Sequence, residues 1–202
     1  MKQLAFLAAF LVLTALAAPV VAQENFTGDM DESQQVPPSG ATATATATLQ
    51  LNSTGEKLTY TITFTGVDLD GAQTADPADD MTAFHIHVGD AGVNGPVAFG
   101  MVSPGDDADD LVIDAAAGTV SGMWEVTDVL TNGGTLADFL DELRADGLYF
   151  NIHTVGFTPG AIRGQILSVP PLSIPTLGEI GIGALALLLM LAGFVVLRRK
   201  AS

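Results

Sequence analysis

The sequence predicts an all-β domain, a Greek-key β-sandwich or flattened barrel with one short helix, set between an N-terminal signal helix and a C-terminal transmembrane helix. Three observations carry this. Through most of the 202-residue chain small or apolar residues alternate with polar ones, the pattern of strands with one buried face. Gly-containing turns recur between these runs, and only one short segment has helical spacing. Two apolar runs without alternation stand at the chain ends, where targeting and anchoring segments lie.

In chain order, Lys2 gives a short basic start, Leu4 to Leu16 an apolar stretch, and Val20-Val21-Ala22 a small-residue cleavage site, so 1–22 reads as a secretory signal peptide. The next segment, 23–167, has the length of one ordinary domain. Within it, Ala41 to Leu51 places small or apolar residues at odd positions and Thr or Gln at even ones. The small side chains predict a strand that approaches another layer closely. The turn Asn52-Ser53-Thr54-Gly55-Glu56 leads into Leu58 to Phe64, with the large residues now at even positions, and the pair reads as a hairpin. Further strands are predicted at 83–88, 96–102, 119–126, 148–154 and 161–167, with Trp124 in the core. The helix is placed after Thr135 as cap, with Asp138 three residues on and Leu136, Phe139, Leu140 and Leu143 on one face. Ser168 to Pro175 carries three prolines and predicts an extended tether, so 168–179 is expected to link the domain to its anchor.

The anchor is the uninterrupted run Ile180 to Leu197, about 27 Å of helix if wholly α, followed by a basic tail over 198–202 with Arg198, Arg199 and Lys200. That tail is expected to stay cytoplasmic and the sandwich to face outward. Ile174-Pro175-Thr176-Leu177, the short span and the basic end, in that order, resemble the bacterial IPTL-type C-terminal sorting signal. The resemblance implies an exosortase-type processing enzyme as a partner. Ile180 stands where that signal commonly carries Trp, and a plain single-pass anchor is the alternative reading. The chain has no cysteine, so neither a lipid-modified N-terminal Cys nor a disulfide contributes.

The formal charge of −16 understates the acidity of the exported part. Between Gln23 and Leu167 three basic residues (Lys57, Arg144, Arg163) face 22 acids, a balance of −19. Such a surface repels phosphate and excludes nucleic acid as a partner. Acids gather in two Gly-containing stretches, one with Asp68 and Asp70, the other with Asp106, Asp107, Asp109 and Asp110. They are candidate calcium loops, because flexible carboxylates suit hard cations, and a solvated acidic surface is the alternative.

All three histidines fall in two short motifs. In Phe84-His85-Ile86-His87-Val88 the period of two sends His85 and His87 to one face, about 7 Å apart at Cα, and the apolar residues to the other. Tyr149-Phe150-Asn151-Ile152-His153-Thr154 puts Tyr149, Asn151 and His153 on one face. If the two strands are neighbours, three imidazoles converge into a candidate site for Cu or Zn. The alternative is three neutral histidines hydrogen-bonded to strand backbone or to Asn151, tying loops and sheets together. Arg163 is expected to pair with an acidic loop such as that of Asp90.

These segments resemble the CHRD domain, the module named after chordin. The resemblance rests on Gln35-Val36-Pro37-Pro38, Ala83-Phe84-His85-Ile86-His87, Asn94-Gly95-Pro96-Val97, Tyr149 to Thr154, and Gly160-Ala161-Ile162-Arg163-Gly164-Gln165-Ile166, in family order over about 35–166. Ala161 stands where the family often carries Glu. The resemblance implies an immunoglobulin-like β-sandwich in a secreted binding protein and no general enzymatic activity. Phe84 to Asp90 also looks like the first copper-ligand segment of copper/zinc superoxide dismutase. By that likeness His153 stands for a third ligand and Arg163 for the arginine that draws in the anion. The further histidines and the disulfide of that enzyme have no counterpart here.

The expected function is therefore that of an exported, envelope-anchored or surface-displayed binding or structural module. Its partners are the membrane and an unidentified protein or envelope ligand, and no catalytic residue is assigned. The alternative is a transition-metal-binding protein built on His85, His87 and His153, with dismutase-like redox activity as its furthest extension.

Overall fold

A computed structural model describes residues 23–107, 109–171 and 179–200. The signal segment 1–22 and the motif Ile174–Leu177 lie outside the described residues. The chain divides into two units, one ending at Val169 and one beginning at Pro170.

The first unit is the predicted sandwich. Ten strands form it: β1 Glu24–Met30, β2 Thr44–Leu51, β3 Lys57–Thr65, β4 Met81–Val88, β5 Val97–Val102, β6 Val112–Asp114, β7 Thr119–Glu125, β8 Leu148–Thr154, β9 Ile162–Gln165 and β10 Leu167–Val169. Every pairing is antiparallel. One sheet has the order β10-β1-β2-β3-β7-β6 and the other β5-β4-β8-β9.

Alternation set the buried faces. Ala45, Ala47, Leu49 and Leu51 of β2 and Leu58, Tyr60, Ile62 and Phe64 of β3 turn inward, with exposed Thr or Gln between them. Across the core stand Phe84, Ile86, Phe99, Phe150 and Ile152. The alanines of β2 leave volume for these rings: Phe84 meets Phe64 edge-on at 5.5 Å and lies 5.8 Å from Phe150. Trp124 is fully buried between Tyr60 and Phe99, with ring centroids 4.3 and 5.0 Å away.

The helical segment forms as a 3-10 turn, Leu136–Phe139, running into α1, Leu140–Arg144. The Asp138 carboxylate accepts both the Thr135 backbone N–H at 2.8 Å and its hydroxyl at 3.0 Å. Leu136 and Leu143 are buried, and Phe139 and Leu140 pack against the core. Arg144 then grips Glu24 of β1 with two bonds of 2.7 and 2.8 Å.

Three differences from expectation matter. β1 and β6 are additional strands, and the Ala strand begins at Thr44 rather than Ala41. The predicted tether begins later than Ser168, because Leu167, Ser168 and Val169 pair with Thr27, Phe26 and Asn25. The chain thus leaves one sheet at Gln165 and enters the other at Leu167. At this corner the backbones of Asp31 and Arg163 exchange two hydrogen bonds of 3.1 Å, joining the end of β1 to β9. Gly164 permits that approach, since a Cβ there would collide with the Asp29 carbonyl.

The second unit contains α2, Glu179–Lys200. Its Gly181–Arg199 span is long and apolar enough to cross a membrane by length and composition. Leu187, Leu188, Leu189, Leu191, Phe194 and Leu197 are all exposed, and their positions run all round the helix.

Candidate metal centre

β4 and β8 are neighbours, in the register Ala83–His153, His85–Asn151 and His87–Tyr149. With Phe84, Ile86, Phe150 and Ile152 committed to the core, the opposite face carries His85, His87, Tyr149, Asn151 and His153 together. β9 adds Arg163 opposite Asn151. Loops cover this outer face, so His85, Tyr149, Asn151 and Arg163 are buried, and His87 and His153 half-buried.

The three imidazoles converge. Ring centroids lie 5.6 Å apart for His85 and His87, 5.1 Å for His85 and His153, and 6.4 Å for His87 and His153. One ring nitrogen from each lies within 4.8 Å of the other two. Each ring also spends one N–H on a loop carbonyl. His85 Nε2 donates to Ser103 at 2.8 Å, His87 Nδ1 to Gly95 at 2.9 Å, and His153 Nδ1 to Thr158 at 2.8 Å. These bonds fix the tautomers and leave His85 Nδ1, His87 Nε2 and His153 Nε2 as lone-pair acceptors. His85 Nδ1 and His87 Nε2 are buried with no hydrogen-bond partner. Ser103 holds its carbonyl in place from a left-handed backbone with φ of 51°, a conformation that costs a non-Gly residue on the order of 1–3 kcal/mol.

Burial pushes His87 and His153 below the ordinary imidazole range. The Gly95 and Thr158 carbonyls oppose this, and the neighbouring histidines add to it by repelling a second positive charge. Neutral rings are the state in which a metal can be bound.

Asn151 joins the group through its amide: Nδ2 donates to His153 Nε2 at 3.2 Å, while Oδ1 accepts from Gln35 Nε2 at 2.5 Å. Gln35 sits in the Gln-Val-Pro-Pro segment, 116 residues away in sequence, and nothing in local periodicity marks it as part of the site. Both expected classes of histidine contact, to backbone and to Asn151, are therefore present together with the convergence.

Arg163 reaches the expected Asp90 loop, but through its backbone. Among the described residues no carboxylate is ion-paired to the guanidinium, which donates to the backbone carbonyls of Asp90 at 2.9 Å and Val93 at 3.0 Å and to Asn94 Oδ1 at 3.1 Å. The group lies 3.5 Å over the ring of Tyr149, which stacks on His87 at 5.1 Å. At 1% exposure it offers no accessible charge to an incoming anion. The two other cations of the sandwich behave differently, Lys57 pairing with Glu125 and Arg144 with Glu24.

The acidic stretches do not assemble as the sequence suggested. Asp68 is buried, and its carboxylate accepts N–H bonds from Asp70, Gly71, Ala72 and Thr74 as the organiser of its own turn. Burial alone would raise its pKa, but these donors outweigh it and hold the carboxyl below its usual range. Its carboxylate neighbours are Asp79 and Asp80 rather than Asp70. Burial raises Asp80, and repulsion from Asp68, Asp79 and Asp76 raises it further. Asp106 is occupied by Gly100 N–H and by Thr131 N–H and hydroxyl. Asp107 is buried, accepting from the Tyr60 hydroxyl at 2.5 Å. Burial pushes it up to about 6; the Tyr60 bond opposes this, and Asp110, Asp128 and Asp109 push the same way as burial. Asp109 is exposed and Asp110 half-buried.

The family model for the CHRD domain matches residues 26–166, a stretch that includes all three histidines, Gln35, Asn151 and Arg163. No curated protein and no solved structure matches the chain.

Proposed function

We propose that this chain, which belongs to the CHRD domain family, is an exported, membrane-anchored binding module whose sandwich takes up one transition-metal ion through His85, His87 and His153. The observation that carries the reading is that each ring is pinned through one nitrogen by a backbone carbonyl while a nitrogen from each lies within 4.8 Å of the others. A metal-bound histidine is ordinarily held in this way, with its second nitrogen donating to a fixed acceptor. Two buried ring nitrogens without hydrogen-bond partners are costly, and a cation would satisfy both. Three imidazoles suit Cu or Zn, whereas calcium needs oxygen ligands that these residues do not supply.

The remainder of the reading follows the chain ends. The segment 1–22 directs export, 23–169 folds as the sandwich, the following Pro-rich stretch acts as tether, and α2 anchors the protein, with Arg198, Arg199 and Lys200 on the cytoplasmic side. Ile174–Leu177 is the proposed recognition motif for an exosortase-type enzyme, and the outward-facing sandwich is available to an envelope ligand. A dismutase-like extension finds no support in Arg163, which is turned to loop carbonyls.

The test is metal uptake by the full chain in detergent micelles after chelator treatment. About one equivalent of Cu²⁺ or Zn²⁺ is expected, with affinity falling below roughly pH 6 as protons compete for the rings, and falling in His153→Ala. No uptake by the wild-type chain overturns the metal reading. Intact mass of the envelope form tests processing: a chain from near Gln23 to the neighbourhood of Pro175–Thr176 is expected, and one that retains Ile180–Lys200 would instead identify a permanent anchor.

A further inference from the structure

We propose that the three-histidine site binds its metal together with a small anion, and that the Asn151 amide, oriented by Gln35, is the donor that selects that anion. The inference rests on the metal reading above and adds a fourth participant to it. Because His153 Nδ1 donates to Thr158, its Nε2 is an acceptor, and the Asn151 group 3.2 Å away must be the NH₂ end of the amide. The opposite end agrees: Asn151 Oδ1 accepts from Gln35 Nε2 at 2.5 Å. Both side chains are buried, at 6% and 7% exposure.

The amide has little freedom to turn away. A Cβ at Gly160 would come within 2.5 Å of both Asn151 Oδ1 and Gln35 Nε2, so the backbone of the 157–161 turn closes over the pair. A metal that takes the lone pair of His153 Nε2 removes the acceptor of Asn151 and leaves a fixed, buried N–H group facing the centre. Such a donor is costly unless another acceptor arrives. Three neutral imidazoles leave the whole charge of the metal uncompensated, and no carboxylate among the described residues is hydrogen-bonded or ion-paired to any of the three rings. A three-ligand metal has an open position. One small anion with a lone pair, such as azide, a halide or hydroxide, meets the charge, the open position and the donor together. The enclosure of His85, at 8% exposure, restricts it to a few atoms.

The experiment uses the full chain in detergent, loaded with one equivalent of Cu²⁺ and titrated with azide, following the azide-to-copper charge-transfer absorption and the copper electron paramagnetic resonance signal. The expected result is azide binding to the wild-type copper form and at least roughly tenfold weaker azide binding in Asn151→Leu, the loss of one charge-assisted hydrogen bond. Copper uptake is measured first in that variant, so that azide affinity is compared between copper-loaded chains. Gln35→Met keeps Asn151 in place and frees only its orientation; it should weaken azide by a smaller factor, and it decides the question if Asn151→Leu fails to fold. Copper uptake with azide affinity unaltered by either substitution overturns this inference and leaves the metal site standing. A wild-type chain that takes up neither Cu²⁺ nor Zn²⁺ overturns both.

Discussion

Arg163→Ala should destabilise the sandwich by about 3–4 kcal/mol, with the site's geometry lost alongside. The guanidinium makes three hydrogen bonds, to Asp90 O, Val93 O and Asn94 Oδ1, all at 2.9–3.1 Å. Hydrogen bonds from a charged group are worth about 1.5–3 kcal/mol each when both partners are buried. Here Asp90, Val93 and Asn94 are exposed, so water replaces the lost donor and about 1 kcal/mol apiece is the better figure. The contact with the Tyr149 face adds about 0.5–1 kcal/mol. Against a typical domain stability of about 5–15 kcal/mol this is a large fraction. Arg163→Lys should lose about 2 kcal/mol, because an ammonium cannot span three acceptors or stack as a plane. Urea unfolding followed by the fluorescence of Trp124 reads the effect, since this is the chain's one tryptophan and lies in the sandwich core. Losing the 89–96 loop should also release the Gly95 carbonyl from His87 Nδ1 and weaken metal binding. An Arg163→Ala chain less than about 1 kcal/mol below wild type would refute the reasoning, since the cost of burying a charge without a carboxylate would then cancel its contacts.

Two further outcomes follow from individual positions. Gly160→Ala should cost more than about 2 kcal/mol, because φ is +138° and the new methyl meets the Gln35–Asn151 pair at 2.5 Å; an unchanged melting temperature would show that the turn can shift freely. Asp107→Asn should stabilise the sandwich more at pH 7 than at pH 4. With its carboxyl raised to about 6 in the fold, wild type loses stability as pH climbs from the unfolded value near 3.8 through 6, and Asn does not. Paired denaturation curves whose difference stays flat from pH 4 to 7 would show that Asp107 ionises as easily inside the fold as outside.

Much of the architecture was legible because alternation is a local property: successive side chains of a strand leave opposite faces whatever the remainder of the chain does. That placed the β2–β3 hairpin, set Phe84 and Ile86 against His85 and His87, and put Asn151 and His153 on one face. The unbroken run of α2 was equally plain. β1 was missed because its buried face, Phe26, Gly28 and Met30, has a glycine at its centre, and β6 because all three of its residues are exposed. β10 was missed because Pro170 follows directly, yet the strand needs only the edge that β1 offers. Nor could periodicity show that Gln35 meets Asn151, that Arg163 is held by loop carbonyls, or that Asp107 lies under Tyr60 while Asp109 stays in solvent. The first two depend on which loops fold over the outer face of the β4–β8 pair, the third on the segment after β5 reaching the inward-facing Tyr60 of β3, and loop closure is decided by contacts between residues far apart in sequence. The residue types of the histidine site are thus written in two short strands, whereas its tautomers, enclosure and donor were decided by segments more than fifty residues away as well as by adjacent turns.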